Sequence, residues 1–332
     1  MWRLFFLLLF PVTVSGQLKR FQFPQNKMGA PFNIIFYHTD SLEAVRLSKE
    51  CYSIVDSLDY IFSDYSSTSE VAKLSFQSNL NHLKVSDELY EMIVLSKHAW
   101  KRSGKAFDVA IGALTRLWRQ AKVEKRFPSK EEINQVMKYT GLQHVANDDL
   151  TKTISFRKQG IRFDFGGIVP GYVAQRVIDH LTSKNIRHAL ADASGDIVVS
   201  EPPPGKKGWT VAINLPQENE ELWDKYLELS NCAVSTSGDL YRFIIHNGKK
   251  YSHIIDPRTG YGVTSQRNVT VIAKDGATAD WLATACSVLP IKKALRLVKK
   301  EKAELLIAVL KDEEIITYKS KNFDSYFEEK ER

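Results

Sequence analysis

Cysteine is scarce: Cys51, Cys232 and Cys286 are the three in a chain of 332 residues. Their spacing fits no zinc ligand set, and an odd number cannot make a fully paired disulfide framework. Cys286 lies in the apolar stretch 281–289 and reads as a buried core residue. No essential disulfide is expected. Long hydrophobic runs are missing too. Leu4 to Phe10 is unbroken but too short to cross a bilayer, and no later run is longer. No internal repeat occurs, and the one biased segment is the loop Pro202-Pro203-Pro204-Gly205. There is also no stripe of basic and aromatic residues and no groove-reading motif, so nucleic acid is not an expected partner.

What is present describes a folded, exported protein. Hydrophobic residues make up 43% and charged residues 26%, enough for a sizeable core. The net charge of +7 is spread along the chain, as on a solvated basic surface with a mild attraction for phosphates or acidic partners. At the N-terminus, Arg3, the apolar run to Phe10 and the small residues Val14-Ser15-Gly16 have the order of an export signal. Residues 1–16 are expected to be removed. No cysteine follows them, so no lipid anchor is expected, and residues 17–332 are read as a single domain, with two closely packed subdomains as the variant.

The patterning mixes helices with strands. A polar lead-in covers Gln17 to Asn26, and a strand covers Asn33 to Tyr37. Ser41 is placed as the cap of a helix with Leu42, Val45, Ile54, Val55 and Leu58 on its core side. Ser67 with Glu70, and Ser129 with Glu132, have capping-box spacing. Ser86 opens a helix through Trp100, stopped by Gly104. Strands are expected over Thr153–Phe163, Ala189–Ser200 with a break at Ser194-Gly195-Asp196, Trp209–Leu215, and Leu227–Val234. Ser235 to Asp239 reads as a polar turn. Asn247-Gly248 between Tyr241–His246 and Lys249–Ile255 is a hairpin signal. A strand at Val269–Ala273, helices at Ala277–Leu289 and Lys292–Lys300, and strands at Leu305–Leu310 and Glu314–Tyr318 complete the chain. Antiparallel strands mixed with helices make α+β the fold class.

One stretch organises the rest: Phe163-Asp164-Phe165-Gly166-Gly167-Ile168-Val169-Pro170-Gly171-Tyr172. An apolar strand runs into a glycine pair, and Pro170 suits the first position of a helix. Such a helix mouth presents main-chain N–H groups and the positive end of a dipole, a seat for phosphate oxygens. Asp280 and Thr284 stand one turn apart on one helix face. A carboxylate and a hydroxyl are hard donors that suit Mg²⁺ better than zinc. His253 precedes a proline turn at the end of a strand and titrates where a general base is useful.

Taken in order, these pieces resemble one family. They are Met28-Gly29, Ser63 to Glu70, Phe107-Asp108 with Gly112, and Asp164-x-Gly166-Gly167-Ile168-x-x-Gly171-Tyr172. Gly195-Asp196, Thr236-Ser237-Gly238-Asp239, His253-Ile254-Ile255-Asp256-Pro257-x-Thr259-Gly260 and Asp280-x-x-x-Thr284 follow. The set is similar to the ApbE family of FAD:protein FMN transferases, from Met28 to Leu289. The resemblance implies a fold related to the T-fold, with largely antiparallel sheets and packed helices. It implies FAD as substrate, Mg²⁺ as cofactor, and transfer of FMN to a Thr or Ser of a partner flavoprotein, such as a subunit of a membrane redox complex. The location implied is the periplasm or the outer face of the cytoplasmic membrane. Flavin contacts carried over fall on Met28, Tyr65, Ala106, Phe107, Asp108, Asp164, Pro170 and Ile254. Metal ligands fall on the carbonyl near Gly167 and on Asp280 and Thr284, and the base falls on His253.

This chain departs from the family pattern at Pro170, where many relatives have Lys, and at Ala30, Ala110, Ala113 and Ser194. Losing a cation at 170 would weaken FAD binding or slow transfer. Two other readings therefore stand beside the transferase: a metal-dependent FAD pyrophosphatase, and a non-catalytic FAD-binding protein. Asp275-Gly276-Ala277-Thr278 also looks like the acceptor sequence such enzymes modify, although it stands at a strand-to-helix turn.

Overall fold

The computed structural model describes residues 17–77, 80–213, 226–238, 243–311 and 314–328. The expected export signal lies outside them, as do Leu215, Tyr241 and Asp239 of the expected strands and turn. In chain order the elements are β1 (Lys19–Lys27), β2 (Ala30–His38), α1 (Ser41–Phe62), α2 (Glu70–Leu74), β3 (Leu83–Lys84) and α3 (Asp87–Arg102). Then come α4 (Gly112–Val123), α5 (Lys130–Met137), β4 (Val145–Asp148), β5 (Thr153–Phe156), α6 (Val169–Ser183), β6 (Ala189–Ala193) and β7 (Asp196–Val199). They continue with β8 (Trp209–Ala212), β9 (Tyr226–Leu229), β10 (Cys232–Gly238), β11 (Phe243–His246), β12 (Lys249–Ser252) and β13 (Arg267–Ala273). The last are α7 (Gly276–Val288), α8 (Ile291–Lys300), β14 (Glu304–Lys311) and β15 (Glu314–Lys319).

Eight strands form one sheet in the order β1-β2-β6-β7-β10-β13-β14-β15, and each neighbouring pair is antiparallel. Strand alternation feeds two cores. On β14, Leu305 and Ile307 face the helices while Leu306 and Ala308 face the opposite layer. The helical side is covered by α1, α6, α7 and α8. On the other side the β8–β9 hairpin and the turn at Phe323 bring in Trp209, Leu227, Leu229 and Phe323. With both faces covered, β13 is buried along its whole length. A third cluster, built on Leu114, Trp118, Ile133 and Ile255, lies beneath α4, α5 and the β11–β12 hairpin. The α+β patterning is borne out.

Several local readings change. Residues 19–27 are not a polar lead-in but an edge strand, with Phe21 and Phe23 packed against the main core. Asp40, not Ser41, caps α1 by accepting the N–H groups of Leu42 and Glu43. Leu42 is 81% and Val45 43% exposed, because the buried stripe runs through Ala44, Leu47, Cys51, Val55 and Leu58 instead. Ser69 caps α2, and the Glu70 carboxylate turns to the Ser86 N–H and hydroxyl rather than back to Ser67. The stretch 227–234 is two strands, broken at Asn231 with φ of 49°, and Ser235 to Gly238 belong to β10. Strand β5 ends at Phe156. Residues 161–165 run on outside any ladder, tied to 109–112 by the bonds Asp164 N–H to the Val109 carbonyl (2.7 Å) and Gly112 N–H to the Arg162 carbonyl (2.9 Å). Pro170 is the second residue of α6, after Val169.

Helices α6 and α7 cross main chain to main chain. A Cβ on Gly171 would fall inside the Gly276 carbonyl oxygen, and a Cβ on Gly276 inside that of Gly171. Gly171→Ala must therefore drive the two helices apart. We expect it to lower unfolding stability by about 3 kcal/mol, the upper end for overpacking. Denaturant melts check this, and a wild-type midpoint would refute the crossing.

Candidate functional site

The Gly166–Gly171 turn brings residues of α6 and α7 together. At Gly167 a Cβ would lie 2.7 Å from the Thr284 hydroxyl oxygen, so only a glycine leaves that backbone open to the Thr284 side chain. Ser237 Oγ on β10 is 3.5 Å from the same hydroxyl. One turn earlier on α7, the Asp280 carboxylate is 3% exposed and its Oδ2 accepts the Gly171 N–H at 3.1 Å. Burial, then the nearby Asp196 carboxylate, push the Asp280 carboxyl well above its ordinary range, against the pull of the Gly171 N–H. Burial also raises Asp196 to about 7, opposed by the Ser235 hydroxyl that donates to it. Asp192 is raised by burial as well.

A desolvated carboxylate beside a second one is relieved by a cation. The donors here also fit a hard divalent ion: one carboxylate, one hydroxyl and the main chain at Gly167. Among the described residues no group of three or more His, Cys, Asp or Glu is arranged to hold a metal, which leaves this mixed oxygen set as the candidate.

The carboxyl cluster also sets a pH dependence. Asp196 titrates above its ordinary 3.8 in the folded chain. The stability linked to it is therefore complete below about 4 and declines as the pH rises to about 7. Without divalent ions, Asp196→Asn should flatten that decline. We expect a gain on the order of 1 kcal/mol at pH 8, kept small because the side chain is partly exposed, and almost none at pH 4. Thermal melts at the two pH values test this, and an equal shift at both would contradict it.

The mouth of α6 offers fewer free donors than the sequence led us to expect. Gly166 N–H donates to Asp164 Oδ1 at 2.9 Å. Ile168 and Val169 both donate to the Phe165 carbonyl, Gly171 donates to Asp280, and Pro170 has no N–H. The dipole remains, but the first-turn hydrogen bonds are largely spent.

A second group centres on Asp164. Its Oδ2 accepts Arg119 Nη2 at 2.7 Å, and the same nitrogen donates to Asp64. The guanidinium carbon lies 4.5 Å from the centre of the Tyr65 ring, and that ring is 80% exposed. Burial and the Asp164 charge raise the Asp64 carboxyl, while Arg119 lowers it. Neither Arg119 nor Asp64 was singled out from the sequence. The available signal was slight: Arg119 follows Thr115 by one helical turn on α4.

The remaining candidates are spread around these two groups. Met28 sits at the β1–β2 turn with φ of 55°, an uncommon backbone for a side chain of its size. Ala106, Phe107 and Asp108 are buried, so their main chain is what they offer a ligand. Phe107 packs near Trp281. Asp108 accepts the N–H groups of Ala110 (2.8 Å) and Leu142, and burial lifts it to about 6. Pro170 is partly exposed.

His253 is exposed, flanked by the buried Ser252 and Ile254 and followed by the buried Ile255. It follows β12, whose hairpin closes through Asn247 and Gly248, both at positive φ. The loop beyond is fixed by Trp118 Nε1–H donating to the Gly260 carbonyl at 2.9 Å and by Arg258 donating to Asp256. Thr278 donates its hydroxyl to Asp275, the cap of α7. The likeness of 275–278 to an acceptor sequence thus coincides with a helix cap.

Comparison with known proteins shows the family and the fold. The family model described as "ApbE family" matches residues 28–307. A FAD:protein FMN transferase of Klebsiella pneumoniae is 26% identical over 87% of this chain and 89% of its own. The solved ApbE protein of Thermotoga maritima superposes with a TM-score of 0.84 at 28% identity, covering 94% of this chain and 100% of that one. The flavinyl transferase ApbE of Pseudomonas stutzeri gives 0.81 at 27% identity, over 94% of this chain and 97% of that one.

Proposed function

The chain belongs to the ApbE family, and from that premise we propose that it transfers FMN from FAD to a Thr or Ser hydroxyl of a partner protein, with Mg²⁺ and with release of AMP. One observation carries the reading: the main chain at Gly167, in the turn before α6, meets the Thr284 hydroxyl of α7, and the buried Asp280 carboxylate of α7 holds the Gly171 N–H where the two helix backbones touch. Those three groups would hold the ion. When bound, Mg²⁺ neutralises charge on the pyrophosphate.

The exposed Tyr65 ring, Asp164, Met28, Ile254, Pro170 and the main chain of 106–108 would seat the flavin half. His253 takes the proton from the acceptor hydroxyl. The hydroxyl oxygen then bonds to the flavin-side phosphorus, the pyrophosphate P–O bond breaks, and AMP leaves with the electron pair. On this reading the acceptor is a flavoprotein, of the kind found as a subunit of a membrane redox complex. The protein works in the periplasm or on the outer face of the cytoplasmic membrane, in keeping with the export pattern of residues 1–16.

Incubation with FAD, Mg²⁺ and an acceptor domain tests the proposal. Covalent flavin on the acceptor is the expected result. Free FMN and AMP without labelling would make the protein a pyrophosphatase, and bound, intact FAD would make it a flavin carrier.

A further inference from the structure

We propose that Arg119 is the positioning residue of the flavin site, holding Asp164 and the ring of Tyr65 in place as one unit. The inference rests on the reading that FAD binds here, and goes beyond it by assigning a role to a residue of α4. Three contacts converge on this side chain. Nη2 bridges the carboxylates of Asp64 and Asp164. The guanidinium plane covers one face of Tyr65 at 4.5 Å, in a ring that stays 80% exposed. Thr115, one turn back on α4, accepts from the same nitrogen at 3.3 Å and ties the group to its own helix.

The bridge spans two separate pieces of chain, which the packing of Phe62 on Phe165 also brings together. Asp64 and Tyr65 belong to the loop after α1, and Asp164 to the turn before α6. Without the guanidinium, two neighbouring carboxylates would face a substrate that carries negative charge itself. Pro170 supplies no cation in compensation. With it, that charge is offset, and the open face of Tyr65 is held ready for the flat isoalloxazine rings.

The role is one of substrate positioning, so it must appear in binding more than in turnover. Arg119→Ala should raise the KM and Kd for FAD about tenfold or more, the scale of a lost charge-assisted hydrogen bond plus a stacked cation. At saturating FAD, kcat should stay within about twofold. Quenching of flavin fluorescence on binding should weaken. Arg119→Lys keeps the charge but lacks the planar fork, so it should recover only part of the affinity. That variant also serves if the alanine protein does not fold. Tyr65→Ala should lower affinity alone and add little in the Arg119→Ala background.

Wild-type affinity and quenching in a folded Arg119→Ala or Arg119→Lys protein, or a loss confined to kcat, would overturn the assignment while leaving the proposed function intact. If the wild-type protein neither bound FAD nor labelled an acceptor, the functional reading itself would fall, and this inference with it.

Discussion

Replacing His253 by alanine is expected to cut acceptor labelling by about 10²- to 10⁴-fold, the range for loss of a general base, while FAD still binds. The geometry separates the two effects. His253 is exposed, but its neighbours Ile254 and Ile255 are 9% and 4% exposed and anchor the segment in the core. Its loop is closed by the Trp118–Gly260 bond and the Asp256–Arg258 pair, neither of which involves the imidazole. On the proposed reading truncation removes a proton acceptor, while the anchors at Ile254, Ile255, Trp118 and Asp256 remain. FAD titration and intact-mass measurement of the acceptor, run side by side, decide the matter. Persistent labelling would refute the assignment of the base.

Asp280→Asn is expected to lower labelling by at least about a hundredfold, because metal stabilisation of the charge is worth several kcal/mol. The same change should make the protein more stable in the absence of divalent ions. Asparagine keeps the acceptor for the Gly171 N–H. It also removes a charge that burial and Asp196 both penalise. A catalytic loss accompanied by a stability gain is the mark of a group strained for function. The sign follows from linkage. A carboxyl raised in the fold gives its stability at low pH and loses it as the pH climbs, so the gain from asparagine should be larger at pH 8 than at pH 5. Calorimetric or denaturant melts without metal, together with the labelling assay, test both halves. A destabilised protein that still labelled its acceptor would exclude Asp280 from the site.

Local chemistry was legible where it was self-contained. Asn247-Gly248 made its hairpin, and Ser129 with Glu132 made a complete capping box. The stretch 163–172 lies against Asp280 and Thr284, a juxtaposition that the family resemblance implied and its glycines alone did not. Legibility failed where two polar neighbours competed for one role, as Asp40 did with Ser41, since either can cap a helix. It failed at Asn231, whose positive φ leaves no mark in a run that otherwise reads as strand. The Arg119 bridge was out of reach for a different reason. Its partners lie 55 and 45 residues away in the chain, and no short pattern encodes that distance. The spent donors at the mouth of α6 belong to the same class, because Asp280 reaches Gly171 from 109 residues away.

The glycine-to-glycine crossing of α6 and α7 has a thermodynamic consequence. A joint made of side chains can yield by switching torsions, and then has to be frozen again when a ligand arrives. A joint made of two backbones has no such torsions to lose. On the proposed reading, oxygen donors held beside this joint would meet an incoming ion at a fixed separation, and ion selectivity would be a property of the helix pair rather than of any one ligand.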